Sequence, residues 1–101
     1  MKKTLLITAF FMLVSIFSFA QTSAEGYFDR GVSKYELQDY RGAIQDYSKA
    51  IELDPSFADA YFNRGLVKYA LNDIDGACLD WSKAGELGYY DAYDRIKEYC
   101  N

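Results

Sequence analysis

An all-α fold, a short solenoid of stacked helical hairpins, is what this sequence predicts, and three observations predict it. The first is an internal copy: Tyr27, Phe28, Arg30, Gly31, Lys34, Tyr35, Asp39, Gly42, Ala43, Asp46, Ser48 and Ala50 recur about 34 residues later as Tyr61, Phe62, Arg64, Gly65, Lys68, Tyr69, Asp73, Gly76, Ala77, Asp80, Ser82 and Ala84. Aromatic Tyr47 is answered by aromatic Trp81. The second is that Ala24 to Leu87 contains one proline and no alternation of apolar and polar residues. The third is the spacing of the breaks at Gln38-Asp39, Asp54-Pro55-Ser56 and Asn72-Asp73, which leaves room for four helices joined by turns of two to four residues. Turns that short force neighbouring helices to lie antiparallel.

The elements follow in order. Residues 1–20 read as a cleaved signal peptide: Lys2 and Lys3 supply a positive start, Thr4 to Phe19 is uncharged and apolar or hydroxylic, and Ser18-Phe19-Ala20 offers small residues for cleavage before Gln21. An uncleaved anchor is the alternative, since the run is just long enough to span a thin hydrocarbon core. Cysteine does not follow Ala20, as lipoprotein processing would require. Residues 21–101 then form the folded domain. Helices are expected at 24–37, 40–53, 58–71 and 74–87, with Pro55 ending the second. Gly31 with Ala43, and Gly65 with Ala77, thin out side-chain bulk where the two helices of a pair cross. Ala50 and Ala84 do the same further along. A glycine inside a helix costs about 0.5–1 kcal/mol relative to alanine, so its recurrence at one place signals a packing demand. Tyr27, Tyr47, Tyr61 and Trp81 fill the space around these small residues.

On those marks the chain resembles the tetratricopeptide repeat (TPR) family. Tyr27, Gly31, Ala43, Tyr47, Ala50 and Pro55 fall on the family pattern in a repeat at 24–57, and Tyr61, Gly65, Ala77, Trp81 and Ala84 in a repeat at 58–89. Arg30 and Arg64 depart from it at a usual leucine position, and Lys34 and Lys68 at a usual tyrosine position, where their aliphatic stems can still pack. After the second repeat Gly88-Tyr89-Tyr90 replaces the expected Asp-Pro turn. Asp91-Ala92-Tyr93 then echoes Asp59-Ala60-Tyr61, so a capping helix is expected at about 90–99 within a segment 90–101, with Tyr93, Ile96 and Cys100 facing the preceding helix. Trp81 to Gly88 also resembles the related Sel1-like repeats.

If the last two helices form a hairpin pivoting near Tyr89, Cys78 and Cys100 stand at equal height, eleven residues on either side. With an even cysteine count and export to an oxidising compartment, a Cys78–Cys100 disulfide is expected, the alternative being two separate thiols. No Cys-x-x-Cys motif supports a redox enzyme. Two cysteines and no histidine make no zinc site, so neither metal nor cofactor is expected.

Histidine is absent, which removes the commonest general base. Asp73, Asp75, Asp91 and Asp94 sit near helix starts, where carboxylates cap orphan N–H groups, and no phosphate-cradling glycine loop is present. No catalytic activity is expected. The 101-residue chain carries a net charge of −4, and without Lys2 and Lys3 its 11 basic residues fall to 9 against 15 acidic ones, a net charge of −6. Such a surface repels phosphate backbones and anionic membranes.

The resemblance implies that the first helix of each pair lines a concave groove holding a partner's peptide or helix. By it the candidates are Glu25, Phe28, Asp29, Val32, Tyr35 and Glu36 from the first repeat, and Asp59, Phe62, Asn63, Leu66, Tyr69 and Ala70 from the second. Phe28, Phe62, Tyr35 and Tyr69 have an alternative role, packing between neighbouring helices. The clamp for chaperone carboxy-termini known in the family is not expected, because only Asn63 suits it while Phe28 and Val32 replace the polar groups it needs. The expected function is a non-catalytic, exported (periplasmic or secreted) interaction module with a protein or peptide partner, and no nucleic acid or small-molecule substrate. Because two repeats are a short stack, a self-associating structural subunit is the alternative.

Overall fold

Five helices and no strand make up residues 22–101, the part of the chain that the computed structural model describes: α1 (Ala24–Glu36), α2 (Tyr40–Leu53), α3 (Ala58–Ala70), α4 (Ile74–Glu86) and α5 (Ala92–Tyr99). The signal peptide expected at 1–20 lies outside the described residues. Helices α1 with α2 and α3 with α4 form two hairpins, α3 packs on α2, and α5 packs on α4. The architecture is an all-α solenoid.

Local chemistry starts the helices. Ser23, Asp39 and Asp73 each accept a hydrogen bond from the backbone N–H three residues on, at Gly26, Gly42 and Gly76, over 3.0–3.1 Å. These satisfy donors that the first helical turn leaves unpaired. Asp54 ends α2 as its C-cap, its N–H donating to the Ala50 carbonyl at 2.8 Å, while its Oδ1 accepts from the N–H of Ser56 at 3.1 Å and tightens the proline turn.

Three helices stop one residue sooner than their periodicity suggests, and for one reason. Gln38, Asn72 and Gly88 take positive φ values of 61°, 64° and 103°. The chain then turns back so that Asp39, Asp73 and Tyr89 donate to the carbonyls of Lys34, Lys68 and Ala84 at 2.8–2.9 Å. Gln38, Asn72 and Gly88 donate in turn to Tyr35, Tyr69 and Gly85 at 2.9–3.0 Å. Both bonds together are the left-handed helix stop usually built on glycine, here met twice by longer side chains. The capping helix begins at Ala92 rather than near 90, because Tyr89 and Tyr90 form a turn in which their carbonyls accept from Ala92 and Tyr93.

Each core needs three helices. Ala43 and Tyr47 of α2 pack with Val67 of α3, flanked by Phe28, Val32, Tyr40 and Ile44. One repeat on, Ala77, Trp81 and Ala84 of α4 pack with Phe62 of α3 and Ala92 of α5, flanked by Ile96 and Tyr99 among others. Thus α5 supplies the third wall that a following repeat would otherwise bring, which is the physical content of a cap. Ala92 is fully buried and Tyr99 packs beside it; Tyr93, though about half exposed, lays its ring over Gly85 of α4, and Ile96 and Cys100 pack against the same core, so the three residues of the expected stripe all meet the preceding helix. The Cys78 and Cys100 sulfurs stand at bonding distance, 2.09 Å, with Cα atoms 5.8 Å apart.

The arginines and lysines at the departing family positions do more than pack. Arg30 holds Asp46 through Nε at 2.9 Å and Nη2 at 2.7 Å, and Lys34 adds a third contact at 3.0 Å. Arg64 and Lys68 hold Asp80 in the same way, at 2.8, 2.7 and 3.0 Å. Both carboxylates are buried, 3% and 5% exposed. Burial alone would raise the Asp46 pKa, but the hydrogen bonds from Arg30 and Lys34 outweigh it and hold the carboxyl below its ordinary value. Arg64 also reaches Ser48 of the first hairpin at 3.1 Å, tying the repeats together.

Candidate functional site

A cleft between α1 and α3 is the site that these helices build. Its floor is Tyr47, whose ring lies under α1 because Gly31 offers no Cβ there; one would stand 2.7 Å from Tyr47 Cε1. Gly65 makes the same room for Trp81. The cleft has a volume of about 270 Å³ and is lined by Val32, Tyr35 and Glu36 from α1, Tyr47 from α2, and Asn63 and Leu66 from α3.

Tyr47 carries the polar centre. Only 1% exposed, its hydroxyl accepts a long hydrogen bond from Asn63 Nδ2 at 3.5 Å. Burial pushes its pKa up to about 12, the Asn63 bond works against that, and the nearby Tyr35, Glu36 and Asp46 oppose ionisation further. The phenol therefore stays protonated at neutral pH, and it has no acceptor for its own proton among the described residues.

Five of the groove residues expected from the sequence, Val32, Tyr35, Glu36, Asn63 and Leu66, converge on this cleft. Glu25, Asp29, Asp59 and Ala70 are exposed at other points along the same helices. The two phenylalanines require correction. Phe62 is only 8% exposed and stacks on Tyr89 with ring centroids 4.4 Å apart. Phe28 repeats that contact one repeat earlier, stacking on Phe57 at 4.9 Å while touching Tyr47 at 5.6 Å. Both rings pack at the junction to the next helix, Phe62 buried and Phe28 partly so. Tyr69, about as exposed as Tyr35, also touches the cap: its ring stands 4.6 Å from Tyr99 and 5.9 Å from Trp81.

That last contact marks how the two repeats differ above their central aromatic. In the second repeat Tyr69 and Tyr99 lean on Trp81. In the first, Tyr35 turns instead to Tyr40, 5.7 Å away, and the space above Tyr47 stays open. Position 74 is Ile where position 40 is Tyr, so Tyr69 has no ring there to turn to. Tyr47 itself escaped the sequence reading of the site, since an aromatic facing a glycine reads as core filler. Its hydroxyl was the available signal, because Trp81 has no such group in the matching place.

Among the described residues no group of three or more His, Cys, Asp or Glu side chains is arranged to hold a metal ion. The cleft is smaller than the roughly 300–1,000 Å³ of small-molecule sites, and suits one or two side chains of a polypeptide.

A family model described as TPR repeat matches residues 31–72, a span running from Gly31 through α2 and α3 and so centred on the junction that forms the cleft. No curated protein matches the sequence. Many solved structures are similar, and two of them show the extent of the likeness. One, titled "Crystal structure of MamA", superposes with a TM-score of 0.70 at 31% identity, covering 72% of this chain and 44% of the other. The second, titled "Crystal structure of MamA protein", gives 0.69 and 32%, covering 72% of this chain and 41% of its own. The chain thus spans less than half the length of these relatives.

Proposed function

We propose that this chain is a non-catalytic adaptor that binds a segment of a partner protein in the concave groove between α1 and α3. The observation that carries this reading is the open cleft over Tyr47, where the apolar walls of Val32 and Leu66 meet the polar groups of Glu36, Tyr47 and Asn63 on a TPR-type scaffold. Rigid helices that present a preformed hollow suit a bound peptide or helix. Catalysis has no support in the site, which lacks histidine and any nucleophile set against a base. Export is part of the proposal. It is supported by the signal-like segment at 1–20 and by the pairing of Cys78 with Cys100, since such bonds persist in oxidising compartments.

A photo-crosslinking amino acid at Tyr35, on the mouth of the cleft, tests the groove. Placed instead at Gln45, which is exposed on α2, it provides the control. The Tyr35 probe should capture a partner from envelope extract that the Gln45 probe does not. Equal capture by both sites would remove the groove assignment. A second reading, self-association, is favoured by the exposed, mutually stacked Tyr90 and Tyr93, with centroids 6.5 Å apart. Size-exclusion chromatography with light scattering separates the two, because a monomer at micromolar concentration excludes the self-associating subunit.

A further inference from the structure

We propose that the segment received by this cleft is cationic, with a lysine or arginine side chain seated between Val32 and Leu66 and its charged head at Glu36; the inference rests on the groove reading above and adds the chemistry of the partner. The argument begins with how charge is sorted on α1 and α3. Positions 25, 29, 32 and 36 follow one another at helical spacing and form one face, Glu25-Asp29-Val32-Glu36. The matching face of α3 is Asp59-Asn63-Leu66-Ala70. Neither face holds a basic residue. Among the described residues no ion pair reaches Glu25, Asp29, Glu36 or Asp59, all four of them exposed. The cations on the same helices, Arg30, Lys34, Arg64 and Lys68, turn the other way and are consumed by Asp46 and Asp80. The buried clamps therefore do more than hold hairpins together: they withdraw positive charge from the concave side and leave its field negative.

The cleft completes the fit. Val32 and Leu66 provide walls for an aliphatic stem, Tyr35 offers a partly exposed ring at the mouth, and Glu36 places a carboxylate beside it. The Tyr47 hydroxyl, with Asn63 as its only partner, can donate to a main-chain carbonyl of the entering segment. A neutral apolar anchor would fill the walls without pairing Glu36, whereas an anionic one would meet that like charge in the cleft and the negative field of Glu25, Asp29 and Asp59 along the same face.

A displayed library of random short peptides, selected on the folded, disulfide-bonded protein, tests this directly. The expected winners carry lysine or arginine, and the shifts they cause in an amide NMR spectrum fall on Val32, Tyr35, Asn63 and Leu66. Replacing the winner's arginine by citrulline, or its lysine by norleucine, should weaken binding about tenfold or more, and the Asp29→Asn, Glu36→Gln double variant should erase that difference. Both positions are exposed, and circular dichroism confirms that the variant remains folded. Winners that map to the cleft without a cation overturn the charge assignment and leave the groove reading in place. No enrichment over a blank support, or shifts confined to other faces, overturns both.

Discussion

Asp46 and Asp80 are the residues on which each hairpin turns, because a buried carboxylate is tolerable only while its cations stay. Removing one partner of a buried ion pair leaves charge uncompensated and costs about 3–5 kcal/mol, whereas apolar replacement of the whole set is often neutral. The two clamps are not equal: the Arg64 side chain is 18% exposed and also bonds Ser48, while that of Arg30 is 42% exposed and has no such contact. Arg64→Met should therefore destabilise by about 3 kcal/mol in urea unfolding, Arg30→Met by distinctly less, and the triple replacement Arg64→Met, Lys68→Met, Asp80→Leu should recover most of the loss. Equal costs for the two single variants would mean that burial does not set the strength of the clamp. Tyr47 makes the second prediction at this scale. Its phenol ionises near 10 in the unfolded chain but at about 12 when folded. Between those values the unfolded state binds fewer protons than the folded one, so stability is intact below pH 10 and falls as pH rises from about 10 to about 12. The loss is on the order of 2–3 kcal/mol. Because other tyrosines titrate there as well, the measurement is a difference: alkaline unfolding of the protein minus that of Tyr47→Phe, which should lack this component.

At the scale of elements, what could be read in the chain divides along physical lines. Asp39 and Asp73 signal helix starts because a short acceptor side chain before a helix has one common use. Gly88 signals a stop, but Gln38 and Asn72 make the same left-handed turn with nothing in Gln38 to announce it; their positions follow only from the repeat. The start of α5 lies two residues beyond its expected place: Asp91 is the N-cap, as its residue type suggests, but its side chain makes no cap hydrogen bond, and the preceding Tyr89-Tyr90 turn takes up the residues between. The cysteine pairing was legible because a hairpin fixes heights, so two residues equidistant from its turn must meet. It governs the weakest element. With eight residues, α5 is too short to hold helical form alone. The bridge closes a loop of sequence separation 22, worth about 3 kcal/mol in the chain-entropy account. Reduction by a dithiol should thus lower stability by about that amount, and hydrogen exchange should show protection lost first across Ala92 to Cys100 while α1 and α2 keep theirs. If α5 stays as protected as before, the stacking of Tyr89 on Phe62 and Tyr99 on Tyr69 holds the cap without the bridge.

At the scale of the whole molecule, the fold was legible because the repeat dictates it, and the cleft was legible only in part because it depends on where the two copies differ. Val32, Asn63 and Leu66 could be placed by register, yet nothing local to Phe28 or Phe62 says that each would be spent on the aromatic before the next helix. The same junctions set how the stack comes apart. In a one-dimensional array each unit feels only its neighbours, and here each core borrows one helix from the unit that follows. Val67 is the side chain α3 lends to the first core, 1% exposed and packed against Ala43 and Tyr47, while it takes no part in the second core. Val67→Ala removes two methyl groups from that junction at a cost of about 2 kcal/mol. If the hairpins are separable units, the loss falls on the first: amide protection across Ala43 to Ala50 should drop about thirtyfold while that across Ala77 to Ala84 holds. If instead both sets fall by the same factor, the chain unfolds as one body and the stack has no internal boundary. The Arg64–Ser48 bond and the Phe28–Phe57 stack are then strong enough to make α1 to α5 a single cooperative unit.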